Sequence, residues 1–329
     1  MTTGSSHGAP GQRSNRPRVV ALGGGHGLYV MLSALGELDA DLTAVVTVAD
    51  DGGSSGRLRR EVPGTLPPGD LRMALAALAA PTAQGQLWAD AFQHRFAGEG
   101  ALTGHPVGNL VLVGLTQVLG DPVAALDAMA AVLGARGRVL PMSCEPLDIV
   151  GQVEGLEDDT TAVRRIRGQV AVAATPGRVR TVALEPADAP GCQEAVVAIH
   201  AADLVILGPG SWFTSVLPHL MLPDIARALT TCRAHRLVTL NLAPQAGETE
   251  GFSPEQHLDV LSAHAPEFQI DTVLADAASV ALPGRLMAAA ERLGARLDLA
   301  DIAYPGTPRH DPVALGRALV PVLSRALAR

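Results

Sequence analysis

The chain has 329 residues, 47% of them hydrophobic and only 3% aromatic, so its core must be aliphatic. A formal net charge of -8 argues against a general nucleic-acid binder, which needs a broad basic face. Three cysteines (Cys144, Cys192, Cys232) without a CxxC pair give no disulfide framework and no zinc knuckle. They are expected as core thiols of a protein in a reducing cytoplasm.

Residues 1–16 are Gly/Ser-rich and polar, read as a disordered tail without a signal peptide's apolar stretch. No run of about 18 apolar residues follows, so no membrane span is expected. Strands are predicted over Arg18–Leu22 and Leu42–Ala49, with a helix over Leu28–Leu38 between them. Pro67-Pro68-Gly69-Asp70 then leads into a helix over Leu71–Ala80, with Asp70 as its N-cap. A further apolar helix is expected over Asn109–Leu119. Between 139 and 185, short alternating runs (Ile149–Val153, Gln169–Val172, Val179–Leu184) predict a β-rich insertion.

After the insertion the α/β alternation resumes with strands at Leu204–Leu207, Arg236–Leu242 and Thr272–Ala275. An amphipathic helix over 313–328 closes the chain and offers a pairing surface for a homodimer. The whole predicts one α/β domain over 17–329, a Rossmann-like doubly wound and mostly parallel sheet with the small insertion. Five strands end in Gly, Asp, Asn, Ser or Thr. Parallel strands bring those ends to one edge, where open α/β sheets bind ligands.

The first loop, Gly23-Gly24-Gly25-His26-Gly27, lets backbone amides approach an anion but breaks the GxGxxG pattern. Asp50 follows at an offset near the roughly 20 residues expected of a ribose-binding acid. Asp50 and Asp51 are adjacent and point to opposite faces of an extended segment, so one faces the ligand and the other orients the turn. Gly53, Ser54 and Ser55 have the composition of a phosphate nest, and Arg57 and Arg59 or a divalent metal at Asp50 would relieve carboxylate–phosphate repulsion. His105 and Asn109 are one helical turn apart, suited to an anion, an amide or a cap.

Gly208, Gly210, Ser211, Thr214 and Ser215 form a second anion loop without the lysine of a Walker motif. Asn241, Gln245, Glu248 and Thr249 cluster after the next strand, suited to a base or a sugar hydroxyl. His94, His200, His219, His235 and His257 lack ligand spacing.

Together, Gly23–Gly27, Thr47–Arg59, Pro67–Arg72, Gly104–Leu110, Gly208–Ser215 and Gly247–Thr249 resemble the bacterial gluconeogenesis factor family (YvcK-like). That family is similar in fold to 2-phospho-L-lactate transferase (CofD-like). The resemblance spans about Arg18 to Asp276. It implies a Rossmann-like core binding a nucleotide or nucleotide-sugar, notably UDP-N-acetylglucosamine, with a role in cell shape and wall synthesis during gluconeogenic growth. His26 stands where the family usually has Thr.

Two readings follow. One is a nucleotide-sugar-binding regulator without turnover, since no nucleophile or general base is evident. The other is a transferase moving a phospholactyl group from a nucleotide donor to a deazaflavin, with Asp50 as catalytic residue and Mg²⁺ ligand. An NAD-dependent dehydrogenase fits less well, given the broken fingerprint.

Overall fold

The structure is a computed structural model that describes residues 16–156, 162–245 and 247–329. The expected tail therefore lies outside the described residues except for Arg16. Among the described residues there are ten strands: β1 (Arg18–Gly23), β2 (Asp41–Val46), β3 (Arg138–Pro141), β4 (Asp148–Glu154), β5 (Val163–Arg167), β6 (Arg178–Glu185), β7 (Leu204–Leu207), β8 (His235–Thr239), β9 (Thr272–Asp276) and β10 (Arg296–Ala300). Seven form one sheet in the order β10-β9-β8-β7-β1-β2-β3. All its pairings are parallel. The remaining strands form an antiparallel sheet, β5-β4-β6.

Helices flank the main sheet: α1 (Gly25–Leu35), α2 (Gly53–Glu61), α3 (Pro68–Ala77), α4 (Ala83–Gln93), α5 (Val107–Leu119) and α6 (Pro122–Leu133). They continue as α7 (Gln169–Ala173), α8 (Gln193–Ala201), α9 (Pro218–Met221), α10 (Pro223–Thr231), α11 (Pro254–His264), α12 (Pro283–Arg292) and α13 (Pro312–Leu327). No described helix is long and apolar enough to cross a membrane. Because helices cover both faces, the central strands are apolar throughout. All four residues of β7 (LVIL) and the last five of β1 are buried.

From β1 the chain moves outward one way through β2 and β3. It later returns to β7 beside β1 and moves the other way through β8, β9 and β10. The reversal lies between β1 and β7, which places the topological switch point at their carboxyl ends.

Several boundaries differ from the sequence-based expectations. Gln169–Val172, expected as a strand, lies in helix α7, because four alternating residues also fit a single helical turn. Arg138–Pro141 pairs in parallel with β2 and belongs to the main sheet, so the antiparallel sheet starts only at Asp148. Asp70 is not an N-cap. Pro68 opens α3, with Pro67 extended before it, which puts Asp70 inside the first turn. The apolar stripe of α13 (Leu315, Leu319, Val322) is buried, and Gly316 lies against the Ala34 carbonyl of α1. That stripe is therefore covered within the chain. Cys144 is exposed, whereas Cys192 and Cys232 are buried, and all three are free thiols.

Candidate functional site

The β1–α1 and β7 loops meet at the switch point with no room for side chains. A Cβ on Gly27 would sit 2.2 Å from the Pro209 carbonyl oxygen and 2.6 Å from Gly210 Cα. One on Gly24 would sit 2.4 Å from Asp70 Oδ2 and 2.6 Å from Thr47 Cγ2. Gly25 has φ +55° at the start of α1, a left-handed conformation that favours glycine. Extended Gly24 is the N-cap and supplies no side-chain cap. The first amides of α1 lack intrahelical partners, so this bare terminus carries partial positive charge toward the crevice. His26 is exposed on that first turn.

The segment after β2 divides its two acids. Asp50 Oδ1 accepts from the Gly52 amide at 2.8 Å, and its carboxylate also accepts from the Ser55 hydroxyl. Ser55 Oγ in turn accepts from the Gly69 amide at 3.1 Å, which ties α2 to the start of α3. Asp51 turns away and accepts from the Val170 amide of α7 at 2.9 Å. Gly53, at φ +44°, is exposed at the start of α2.

Asp70 faces the same space as Asp50. Burial and the Asp50 charge lift its pKa to about 7, despite a donated hydrogen bond from the Gly25 amide and the nearby Arg72 charge. Burial raises the Asp50 pKa as well. Two carboxylates against a helix N-terminus form a site that calls for a cation once a phosphate enters. Mg²⁺ binds through one or two carboxylates while keeping several waters, and Asp50 with Asp70 fits that donor set. Among the described residues no group of three or more His, Cys, Asp or Glu is arranged to hold a metal.

Behind the acids runs a buried polar chain. Arg72 Nε donates to Asn109 Oδ1 at 2.9 Å, and Asn109 Nδ2 donates to Ser54 Oγ at 2.9 Å. Ser54 Oγ also pairs with His105 Nδ1 at 2.7 Å. Burial, followed by the Arg57 charge, lowers the His105 pKa and so favours its neutral ring. All four residues are buried. Burial, then Arg95, draws the Arg72 pKa down to about 10, so it stays cationic at neutral pH. Arg57 itself donates to the Thr103 carbonyl at 2.8 Å.

The second loop differs from its expected role. Trp212–Val216 is a single π-helical turn, and several donors of the loop are taken by Glu248. Ser211 Oγ donates to Glu248 Oε1, Thr214 Oγ1 donates to the same oxygen at 2.8 Å, and the Phe213 amide donates to Glu248 Oε2 at 3.2 Å. Glu248 thus supplies the loop's anion. The Gly210 amide donates to Asn241 Oδ1 at 2.9 Å, and Asn241 Nδ2 returns a bond to the Gly210 carbonyl at 2.8 Å. Thr249 Oγ1 accepts from the Gln245 amide at 2.9 Å. Asn241, Gln245, Glu248 and Thr249 are therefore turned toward protein partners that hold the loops. Gly208, at φ +75°, stands where a Cβ would lie 2.8 Å from the Thr239 carbonyl. Ser215 Oγ would be 3.3 Å from a Cβ on Gly24, so Ser215 borders the first loop closely, as Gly210 does against Gly27.

The structure thus gathers Gly24–Gly27, Asp50, Ser54, Ser55, Asp70, His105, Asn109 and Ser215 around the β1 carboxyl end. Arg72 joins them and was not singled out in the sequence. In the sequence it stood only as the last residue of the Pro67–Arg72 segment, a charge at the third position after Gly69.

The family model for 2-phospho-L-lactate transferase CofD matches residues 19–302. A Mycobacterium tuberculosis (strain H37Rv) protein is 56% identical over 310 residues, covering 93% of this chain and 90% of that protein. The gluconeogenesis factor of Bacillus subtilis is 38% identical over 265 residues, covering 80% of each. The crystal structure of a UPF0052-family protein from Bacillus halodurans superposes with a TM-score of 0.83 at 33% identity, covering 93% of this chain and 99% of that one. A sheet reversing at β1/β7, glycines that admit no Cβ and a match across nearly the whole chain agree: the chain belongs to the 2-phospho-L-lactate transferase CofD family and, within it, to the gluconeogenesis factors.

Proposed function

We propose that the chain binds a nucleoside-diphosphate sugar, UDP-N-acetylglucosamine foremost, in the crevice at the carboxyl ends of β1 and β7. In this reading it acts in the cytoplasm without turnover, as a regulator of cell morphogenesis and wall synthesis during gluconeogenic growth. The observation that carries it is the N-terminus of α1, which has no side-chain cap from Gly24, where Gly24 and Gly27 admit no Cβ and the amides beyond that of Gly25, which Asp70 accepts, suit a diphosphate. Asp50 and Asp70 bind the sugar hydroxyls or a Mg²⁺ that bridges to the phosphates.

Calorimetric titration with UDP-N-acetylglucosamine, NAD and GTP, with and without magnesium, tests the reading. Tightest binding of the UDP-sugar supports it. No binding of that ligand in either condition refutes it. The acid pair favours a second reading, transfer of a phospholactyl group from a nucleotide donor to a deazaflavin alcohol, in which the new P–O bond forms as the P–O–P bond breaks and a nucleoside monophosphate leaves. Asp70, titrating near neutrality, would accept the alcohol proton, and bound Mg²⁺ would supply charge stabilisation. Product formation from a phospholactyl nucleotide and a deazaflavin would establish that alternative.

A further inference from the structure

Cys144 and Cys192 are far apart in sequence yet meet beyond the carboxyl end of β3. The Cys192 amide donates to the Met142 carbonyl at 2.9 Å, which pins the N-cap of α8 to the exit of that strand. On the other side the Gly191 amide donates to Asp224 Oδ2 at 3.1 Å. Ser143 Oγ accepts the Glu145 amide at 3.1 Å and holds the turn that carries Cys144. Both thiols therefore stand on pinned backbone, and they are hydrogen-bond partners of one another. Cys144 is exposed, whereas Cys192 is only 2% exposed. Cys192 Sγ also donates to Glu194 Oε2 at 3.3 Å, so its proton has two acceptors, the Cys144 sulfur and a carboxylate open to solvent.

The two thiols are not equivalent. The hydrogen bond from Cys192 lowers the Cys144 pKa, against burial and the charges of Glu194, Asp121 and Glu145. The same bond, followed by burial, raises the pKa of Cys192. Thiolate character and accessibility thus coincide at Cys144, the pattern of an oxidisable cysteine beside a resolving one. Cys232 is buried, and burial raises its pKa, so it shares neither property. We propose that Cys144 and Cys192 form a site of reversible oxidation, closing to a disulfide with hydrogen peroxide as oxidant. The Cys144 thiolate attacks a peroxide oxygen. The S–O bond forms as the O–O bond breaks, and the departing hydroxide takes up a proton and leaves as water. Cys192 then passes its proton to Glu194 and attacks the Cys144 sulfur. The S–S bond forms as the S–O bond breaks, and the second hydroxide leaves as water. Two thiols and one peroxide thus give one disulfide and two waters. The bond ties the exit of β3 to the N-terminus of α8, and a dithiol reductant reverses it by exchange.

The test exposes the full chain and the variants Cys144→Ser, Cys192→Ser and Cys232→Ser to equimolar hydrogen peroxide. Thiol titration, intact mass and peptide mapping are the readouts. Cys144 is exposed and serine suits the N-cap position of Cys192, so both variants are expected to fold. The parent chain and Cys232→Ser should lose a pair of thiols and about 2 Da, with a Cys144–Cys192 crosslink that dithiothreitol removes. Cys192→Ser should stop at a sulfenic acid on Cys144, about 16 Da heavier and captured by dimedone. Cys144→Ser should keep its thiols and consume peroxide at least about tenfold more slowly than the parent chain. Thiol loss that persists in Cys144→Ser, or a crosslink to Cys232, overturns the proposal. So does a parent chain that stops at the sulfenic acid, or one that keeps all its thiols.

Discussion

Asp51 Oδ1 accepts the Val170 amide at 2.9 Å across 119 positions of sequence, so the second acid of the Asp50-Asp51 pair holds the insertion and does not face the crevice. Val170 is the second residue of α7, where amides lack intrahelical partners, so Asp51 caps that helix from another part of the chain. Gly168 makes the approach possible, since a Cβ there would lie 2.2 Å from Asp51 Oδ2. Asp51→Ala should cost about 1 kcal/mol, the usual loss for a cap. It should also speed amide exchange at Val170 while leaving ligand affinity within about twofold. Hydrogen-exchange mass spectrometry checks this, and unchanged protection across α7 would contradict it.

Asp70 should leave a pH signature. Its carboxyl titrates near 7 in the folded chain against an ordinary value of 3.8. Between those values the unfolded chain has released the proton and the folded chain has kept it. Stability therefore falls as pH rises through that window and levels off above about 7. Asp70→Asn removes the dependence. Its melting temperature should exceed that of the parent chain most at pH 8, and the gap should close toward pH 4. Melting curves across that range check the sign, and a constant gap would place the raised pKa elsewhere.

Asp50→Asn separates charge from geometry. An asparagine oxygen can still accept the Gly52 amide that Asp50 Oδ1 accepts at 2.8 Å, so the turn should persist and the fold remain intact. Losing the negative charge removes one of the two causes that raise the Asp70 pKa. The slope of stability against pH should shift toward lower pH, and any magnesium dependence of UDP-sugar binding should shrink by about tenfold. Titrations with and without magnesium read this directly.

The parallel core was readable because strands buried on both faces appear as uninterrupted apolar runs, as in Val19–Leu22 and Leu204–Leu207. The first loop was readable because only glycine fits where backbone meets backbone, as Gly27 does against Pro209. Roles set by distant partners were not. Arg72 meets Asn109 across 37 positions, and Glu248 fills the Ser211–Thr214 loop from as far away, so neither spacing forms a local pattern. Alternation over Gln169–Val172 misled because α7 is too short for its period to show.

Gly27→Ala opposes two effects whose balance decides the outcome. Gly27 lies inside α1, where alanine is normally worth about 1 kcal/mol over glycine. Against that gain, the new Cβ would sit 2.2 Å from a backbone carbonyl that no side-chain rotation can move. Relieving the overlap means parting the β1 and β7 loops, so a net loss of about 2 kcal/mol is expected. Nucleotide affinity should fall with it, because the α1 amides shift. Urea unfolding and ligand titration on the same sample check both, and a stabilised variant would mean that the loops are not pressed together.

The buried chain from Arg72 to His105 makes the last prediction. Asn109→Ala removes the acceptor of a buried guanidinium and the donor to Ser54 in one step. Stranding a charged donor is costlier than losing a neutral bond, so about 3 kcal/mol of stability should go. Asn109→Asp keeps an acceptor for Arg72, as a carboxylate that pairs with its charge, and loses only the bond donated to Ser54. It should therefore fall between the parent chain and the alanine variant. If instead the aspartate variant is the less stable of the two, the Ser54–His105 end of the chain outweighs the Arg72 end. Denaturation midpoints for the three proteins decide which end holds α3, α5 and α2 together.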